Sequence, residues 1–569
     1  NEHAEDAERV SKAIAQSGKK RFTIDKVYWD YYTRVPGATS LTYPAATASI
    51  EQSIASGAAL FNYSGHGSPT VISNEKTLVL DDFKRYSAPH LGLWVLASCE
   101  IYPFDSKENN LADVFLFRPN AGAVAFMCAT RAVYATQNNA LNIEFCKRLF
   151  ARDTNGRLKT MGEALRQAKN ELVSSQSDLT INKMKYVLFG DPAISLAVPT
   201  GTAVLDSIDG KAVSSTSAIR LSAGQVVKFS GHVEDSNGNG AVDQSFNGTL
   251  SAEIYDRNET LTCKDNDGSA GRIGRSPLTF TMHGHRVFRG TTRVENGHFT
   301  ITASIPRDIS YSDDAAKISF YAVSDDKQTE CNGVNSGFHL NGPAEQASPD
   351  TLAPKVVAYL NEVETPEYGV VNRNPTLIAD ISDDAGINIA GTSIGHDIEL
   401  TLDDDLSNTT SLNDYFTYAP GSYNSGQLVY HLPTLTPGLH TMTLRVWDVN
   451  NNSTTQRLGF IVSDGVGQAT RVYSTVNPAS THTTFVAGFP SVGENEANIL
   501  WEVFDRTGKS VWTKHNSVAA KSGTSAVAWN LRTNGGAPAA EGVYVVKATI
   551  NVPGKKSQHA TQKLIIVRP

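Results

Sequence analysis

Along the first 200 residues the apolar positions follow two different periods. Three short runs, at residues 58–63, 91–98 and 121–130, are nearly all apolar, the pattern of strands buried on both faces. Between and after them apolar residues return at helical spacing. Leu141, Phe145 and Leu149 recur every four residues, and Met161, Leu165, Ala168 and Leu172 follow an i, i+4, i+7, i+11 stripe, so each helix can lay one face on a sheet. This alternation predicts an α/β unit, a parallel sheet covered by helices on both sides. After Thr200 the helical period disappears. Strand-like runs separated by turn signals take over, among them Ser236-Asn-Gly-Asn-Gly240, Asp448-Val-Asn-Asn-Asn452 and Thr533-Asn-Gly-Gly536, and this half predicts stacked, Ig-like β-sandwiches. Linkers are expected at Pro199-Thr-Gly-Thr202, at residues 341–354 and at Ser463-Asp-Gly-Val-Gly-Gln468. They divide the chain into units at 1–200, 201–345, 346–465 and 466–569.

The 569 residues suit this four-unit division. Fifty Lys and Arg against 58 Asp and Glu leave a net charge of −8, which argues against a nucleic-acid partner because such a partner needs a basic stripe. No run approaches the ~18 apolar residues of a membrane helix. The chain begins at Asn1 with neither an initiator Met nor a signal-type apolar region, and is expected to be part of something longer. The five cysteines are scattered and contain no Cys-x-x-Cys pair, which excludes a disulfide scaffold and zinc spacing. Cys263 and Cys331 either pair in an oxidising compartment or remain separate thiols, since sequence distance gives no spatial distance.

The chemistry concentrates at two strand ends. Residues 58–63 run into Ser64-Gly-His-Gly67, which holds His66 between two glycines. Without a Cβ, Gly67 can bring its backbone N–H close to a substrate, and Gly65 permits a sharp exit from the strand. Some thirty residues on, a second apolar strand ends in Ala97-Ser-Cys99. If the two strands are parallel neighbours, His66 and Cys99 emerge from one carboxyl edge, a small multiple of ~4.8 Å apart. A cysteine thiol, with an ordinary pKa near ~8.5, is mostly protonated at neutral pH, and an adjacent imidazole can stabilise the thiolate or take its proton. The pairing predicts a cysteine hydrolase, with Cys99 as nucleophile, His66 as general base and acid, and the Gly67 and Cys99 amides converging on the oxyanion. Either motif alone is weak, because a strand-end Cys is usually a small core residue and Gly-His-Gly usually a turn.

The segments Asn62-Tyr-Ser-Gly-His-Gly67, Leu96-Ala-Ser-Cys99, Pro119-Asn-Ala-Gly-Ala-Val-Ala125 and Leu188-Phe-Gly-Asp-Pro192 resemble the gingipain family of cysteine peptidases. The resemblance covers roughly the first 200 residues and implies a caspase-like catalytic domain that lacks its first subdomain. It also implies the same Cys99, His66 and oxyanion roles. The acidic determinant of the gingipain pocket for a basic side chain maps to no position, so Arg or Lys specificity does not carry over. The acid that orients His66 is equally open: Asp25 and Asp30 flank a plausible strand, Glu5, Asp6 and Glu8 are as available, and solvated positions are expected for all five. Glu100, next to the nucleophile, would oppose a thiolate if it pointed inward, and a rim or solvent position is expected. Cys128 and Cys146 are expected in the core, and Asp191 in a turn that ends a strand.

From Val472 onward paired strands surround tight turns, with Phe504-Asp-Arg-Thr-Gly-Lys509 as a hairpin signal. This end, with its Asn477-Pro478 start, its Gly542-Val-Tyr544 strand and its basic ending, resembles the C-terminal domains of type IX secretion proteins. The whole order resembles the sortases of that system. The implied activity is to cut the C-terminal signal domain from exported cargo and to transfer the new carboxyl end through a Cys99 thioester to an amine on anionic lipopolysaccharide. The implied partners are cargo proteins and an outer-membrane β-barrel shuttle protein, and the implied location is the cell surface, peripheral to the outer membrane. Two alternatives stay open: a secreted gingipain-like endopeptidase that is itself cargo, and a non-catalytic surface binding protein. No cofactor is required. Structural calcium is conceivable at Asp383-Asp384, Asp403-Asp404-Asp405 and Asp448. The EF-hand-like start at Asp235 has Phe246 where a bidentate Glu is needed. His283 and His285 would share a face on a strand but lack a third ligand.

Overall fold

The structure is a computed structural model. It describes residues 2–567 apart from 19–20, 38–39, 87–89, 119–121, 154–155, 214–218, 236–239, 273, 343–349, 362–367, 392–394, 464–469, 490–495 and 521–522. The start of the Pro119 motif, most of the Ser236 turn, half of the predicted linker at 341–354 and most of that at 463–468 therefore lie outside the described residues.

The three apolar runs form the strands Leu60–Ser64, Gly92–Ala97 and Ala123–Ala129, joined at one edge by a fourth strand, Tyr186–Gly190. Flanking helices are α1 (Glu2–Ser17), α2 (Pro44–Ser56), α3 (Leu80–Arg85), α4 (Leu111–Leu116), α5 (Ala135–Phe150) and α6 (Met161–Ser174). Successive strand side chains point to opposite faces. Leu93 and Val95 accordingly join the core of α1, α5 and α6, while Trp94 and Leu96 join that of α2, α3 and α4. The helical stripes supply the first of these cores: Phe145, Leu149, Met161 and Ala168 are wholly buried, and each large side chain contributes about 1.5–3 kcal/mol. The Thr160 hydroxyl caps α6 by accepting from the Glu163 amide.

The sheet departs from the all-parallel expectation. Tyr186–Gly190 runs antiparallel to Ala123–Ala129, with Ala129 opposite Tyr186. The cause is the pair of helices between them: one helix returns the chain to the edge where a parallel strand starts, whereas α5 followed by α6 brings it back to the carboxyl edge. The strand expected between Asp25 and Asp30 is also absent; that stretch holds the short 3-10 helix Trp29–Tyr31. Tyr28 packs there on Phe280, and the Asp30 carboxylate accepts the backbone amides of Asp265 and Asn266, so its partners lie in the second unit.

The Pro199 segment is pinned. Gly201 already begins the strand Gly201–Ile208, Arg152 donates to the Pro199 carbonyl at 2.5 Å, and Arg21 donates to the carbonyls of Gly201 at 2.5 Å and Asn332 at 3.0 Å. Residues 201–342 build an eight-stranded sheet that closes on itself where Gly201 and Thr202 pair with Cys331 and Asn332. Residues 355–462 form a four-stranded and a five-stranded sheet. These two units share one core running from Ala203 to Val462, with Phe288 stacked on Tyr418 at 5.0 Å between ring centres. Residues 471–566 form a three-stranded and a four-stranded sheet around a core of their own. The hairpin at Asp505 is present: its carboxylate accepts the Thr507 and Lys509 amides, and Gly508 takes a φ of +83°.

Candidate active site

His66 and Cys99 leave neighbouring parallel strands at the same level. Ser64 pairs with Ala97, so each residue stands two positions beyond a paired strand end, on strands about 4.8 Å apart. The Gly65 amide donates to the Ala97 carbonyl at 3.4 Å, which ties the two exits together. Beneath them, Asn62 and Asn142 exchange amide hydrogen bonds at 2.8 and 3.0 Å, and Asn142 also donates to the Ser64 hydroxyl at 3.4 Å. This polar brace fixes the exit of the first strand against α5.

Gly67 packs onto the cysteine turn. A Cβ built there would lie 2.5 Å from Ser98 Oγ and 2.7 Å from Ile101 Cδ1, so only glycine lets the histidine loop approach so closely. Glu100 adopts a φ of +41°, a left-handed conformation that non-glycine residues take at a cost and that concentrates at functional turns. Its amide donates to the Arg131 carbonyl at 3.4 Å and that of Tyr102 to the Ala129 carbonyl at 3.2 Å. The chain thus reverses sharply after Cys99, and Glu100 is exposed at the rim as expected.

Cys99 is half-buried, whereas the other four cysteines are buried, and all five are free. Its thiol donates to the Val133 carbonyl at 3.4 Å. Burial pushes the Cys128 thiol well up, that of Cys146 to about 12, and those of Cys263 and Cys331 to about 11, which makes them poor nucleophiles. Cys263 packs with Tyr28 and Phe280, and Cys331 lies against Gly201, so the two remain separate thiols.

The His66 ring is exposed, and among the described residues no side chain is hydrogen-bonded to it. Imidazole and thiol share the rim without a bond between them, and contacts of this type often tighten only around substrate. The His66 carbonyl accepts Tyr63 Oη at 2.7 Å and the Ser73 amide at 3.0 Å, which anchors the loop from below.

None of the five candidate carboxylates contacts His66, and two are not solvated. Asp6 and Glu8 are each 5% exposed. Glu8 binds Lys26 Nζ at 2.9 Å and Tyr28 Oη at 2.8 Å; Asp25 meets His283 Nε2 at 2.6 Å. Asp6 accepts from Arg9 at 2.5 Å and Asn139 at 2.7 Å, while burial pushes its carboxyl up against the Arg9 guanidinium. The group that does reach His66 is His3, whose ring meets it edge-on at 4.9 Å and 86°. Burial, then the His66 imidazole, pushes His3 down, with Asp6 pulling the other way. His3 was not singled out from the sequence, although its i, i+3 spacing to Asp6 on a helix was a readable signal. His3→Ala is expected to lower kcat about tenfold while leaving KM nearly unchanged, because it frees the His66 ring without touching substrate. Steady-state kinetics check this, and an unchanged kcat would remove His3 from the site.

Asp191 accepts the Ala193 amide at 2.8 Å in the turn after the fourth strand. Phe246 is buried in the core, which rules out a calcium loop closed at that position. His283 and His285 fall between strands, and the second meets Glu259 at 3.5 Å, so they face different partners. Asp403 and Asp404 pair with His440 and Arg457, and Asp405 caps a turn. Among the described residues, the group able to hold a cation is Asp350, Asp383 and Asp448, with carboxylate oxygens within 4.8 Å of one another.

Burial, then the neighbouring Asp448, raises Asp383 to about 6, and burial also raises Asp448. A carboxyl raised above its unfolded value of about 3.9 adds stability below that pH and loses it as pH rises through the folded value. Asp383→Asn should therefore raise the unfolding midpoint relative to the parent more at pH 7 than at pH 5. Thermal melts at both pH values test this, and a pH-independent difference would contradict it.

Residues 1–197 match the family described as peptidase family C25. Among solved structures, dimeric latent PorU from Porphyromonas gingivalis is 27% identical, with 79% of this chain and 42% of that chain covered and a TM-score of 0.31. The Arg-specific cysteine proteinase gingipain R is 17% identical over 52% of this chain and 57% of that chain, with a TM-score of 0.26. This chain thus spans less than half the length of the PorU structure. None of the curated proteins matches it. No helix among the described residues is long and apolar enough to cross a membrane. Over its amino-terminal 197 residues, then, the chain matches a family of cysteine peptidases, peptidase family C25.

Proposed function

We propose that the chain is a sortase-type cysteine endopeptidase, which cleaves a C-terminal segment from a protein substrate and passes the new carboxyl end to an amine. The single observation behind this reading is the matched register that sends His66 and Cys99 out of one sheet edge, two residues past Ser64 and Ala97. His66 takes the Cys99 thiol proton as Sγ attacks the scissile carbonyl carbon, and the developing oxyanion is held by the Gly67 and Cys99 amides. As the C–N bond breaks, His66 gives a proton to the departing amine and a thioester remains. An incoming amine then attacks the thioester carbonyl, His66 takes its proton, and the thiol is released as a new amide forms. Water in place of the amine gives hydrolysis.

The acceptor in this reading is an amine on anionic lipopolysaccharide at the cell surface, the substrates are type IX cargo proteins, and the docking partner is an outer-membrane β-barrel. Incubating enzyme, cargo and a primary amine and weighing the products tests it: amine-tagged cargo supports transfer, and free acid alone refutes it. A second reading, a peptidase that is itself cargo, draws on the separate core of residues 471–566. Loss of those residues from the mature surface protein would favour it.

A further inference from the structure

The antiparallel fourth strand has a consequence for substrate choice. Because Tyr186 lies opposite Ala129, the segment leading into that strand, residues 175–185, arrives at the same edge as His66 and Cys99. It is fastened there at three points: the Thr130 amide donates to the Lys185 carbonyl at 2.9 Å, Lys185 Nζ to the Ala132 carbonyl at 2.6 Å, and the Tyr134 amide to Asn182 Oδ1 at 2.9 Å. The residue between these anchors, Val133, supplies the carbonyl that receives the Cys99 thiol.

This segment is inside out. Three of its polar side chains face inward: Asp178, Asn182 and Lys183 are buried, Lys183 Nζ donates to the Asp178 and Thr180 carbonyls at 2.9 and 2.5 Å, and Asn182 also donates to Asn138 on α5 at 3.0 Å. Its large apolar side chains face water instead, with Leu179 70%, Ile181 73% and Met184 67% exposed, beside Tyr134 at 68%. Folding alone disfavours burying an ammonium and two polar side chains while exposing three aliphatic ones. A pinned apolar surface next to a nucleophile is the arrangement of a binding site.

We infer that Leu179, Ile181, Met184 and Tyr134 form an apolar subsite for the polypeptide being cleaved, so that the enzyme selects substrates carrying large aliphatic or aromatic residues near the scissile bond. The occupant is the substrate chain because the segment is hydrogen-bonded to Ala132 and Tyr134, the neighbours of Val133, whose carbonyl receives the thiol of the candidate nucleophile. This inference rests on the peptidase reading, and its test separates the two.

The full chain is treated with two peptidyl electrophiles that alkylate active-site thiols, one with Leu and Phe around the reactive carbonyl and one with Ser and Asn, and Cys99 labelling is followed by mass spectrometry. The apolar reagent is expected to label faster, and Ile181→Ser and Met184→Ser are each expected to cut the apolar-to-polar rate ratio by about tenfold, the scale of a lost methylene-to-apolar contact in a pocket. Thermal melts of both variants confirm folding, which exposed positions leave intact. Labelling without apolar preference, or with an unchanged ratio in the variants, overturns the subsite and leaves the peptidase reading standing. A change of oligomeric state without a change of ratio assigns the surface to a second copy and likewise overturns it. No labelling of Cys99 by either reagent defeats the peptidase reading itself.

Discussion

Cys99→Ala is expected to lower cleavage and transfer by at least about 1,000-fold, the scale on which removing a covalent nucleophile leaves only binding and oxyanion contacts. The variant should fold normally. Cys99 is half-buried and donates one weak thiol contact, to the Val133 carbonyl, so little packing is lost. None of the other four cysteines can stand in, because each is buried and its thiol is held above the ordinary range. Product formation by intact mass checks this, and a variant that processes substrate like the parent would make the unit a scaffold for the β half.

Gly67→Ala is expected to cost about 100-fold in kcat/KM, although it adds a single methyl group and removes no polar group. That methyl would meet Ser98 Oγ at 2.5 Å and Ile101 Cδ1 at 2.7 Å. Ile101 is buried, and Ser98 is the residue before the nucleophile. The clash is relieved most readily by moving the histidine loop outward, and displacements of about 1 Å at such sites cost rate on this scale. A double variant Gly67→Ala, Ser98→Gly should recover part of the loss, since it removes the nearer of the two contacts. Kinetics of the single and double variants test the geometry, and equal rates in parent and Gly67→Ala would mean that the two loops move independently.

Much of this site was legible in the sequence for a physical reason: strands buried on both faces give unbroken apolar runs, and the polar residues that end them mark one sheet edge. His66, Cys99 and Gly67 could be named from that pattern alone. Strand direction could not, because periodicity carries no sign. The reversal of Tyr186–Gly190, and with it the apolar segment at the rim, depends on counting the helices between strands and knowing where they return the chain. His3 escaped for a related reason. Its contact with His66 joins residues 63 positions apart through the docking of α1 by Val10 and Ile14, and helix docking is a tertiary fact.

The β half followed the same division. Turn residues announced the strands, and Asp505 and Gly508 took up their hairpin roles. The boundary near residue 345 told less, because the core continues across it from Ala203 to Val462. Asp350 illustrates the gap: it stands in a stretch expected to be a linker, yet its carboxylate joins those of Asp383 and Asp448.

The most direct measurement is a rapid acid quench of the full chain with a cleavable protein substrate, followed by mass analysis of the peptide containing Cys99. The account predicts a transient acyl adduct on Cys99 with the mass of the substrate's amino-terminal fragment, accumulating less in His66→Ala and discharged faster as amine is added. Turnover with Cys99 unmodified at every time, or an adduct whose formation is indifferent to His66, would contradict it.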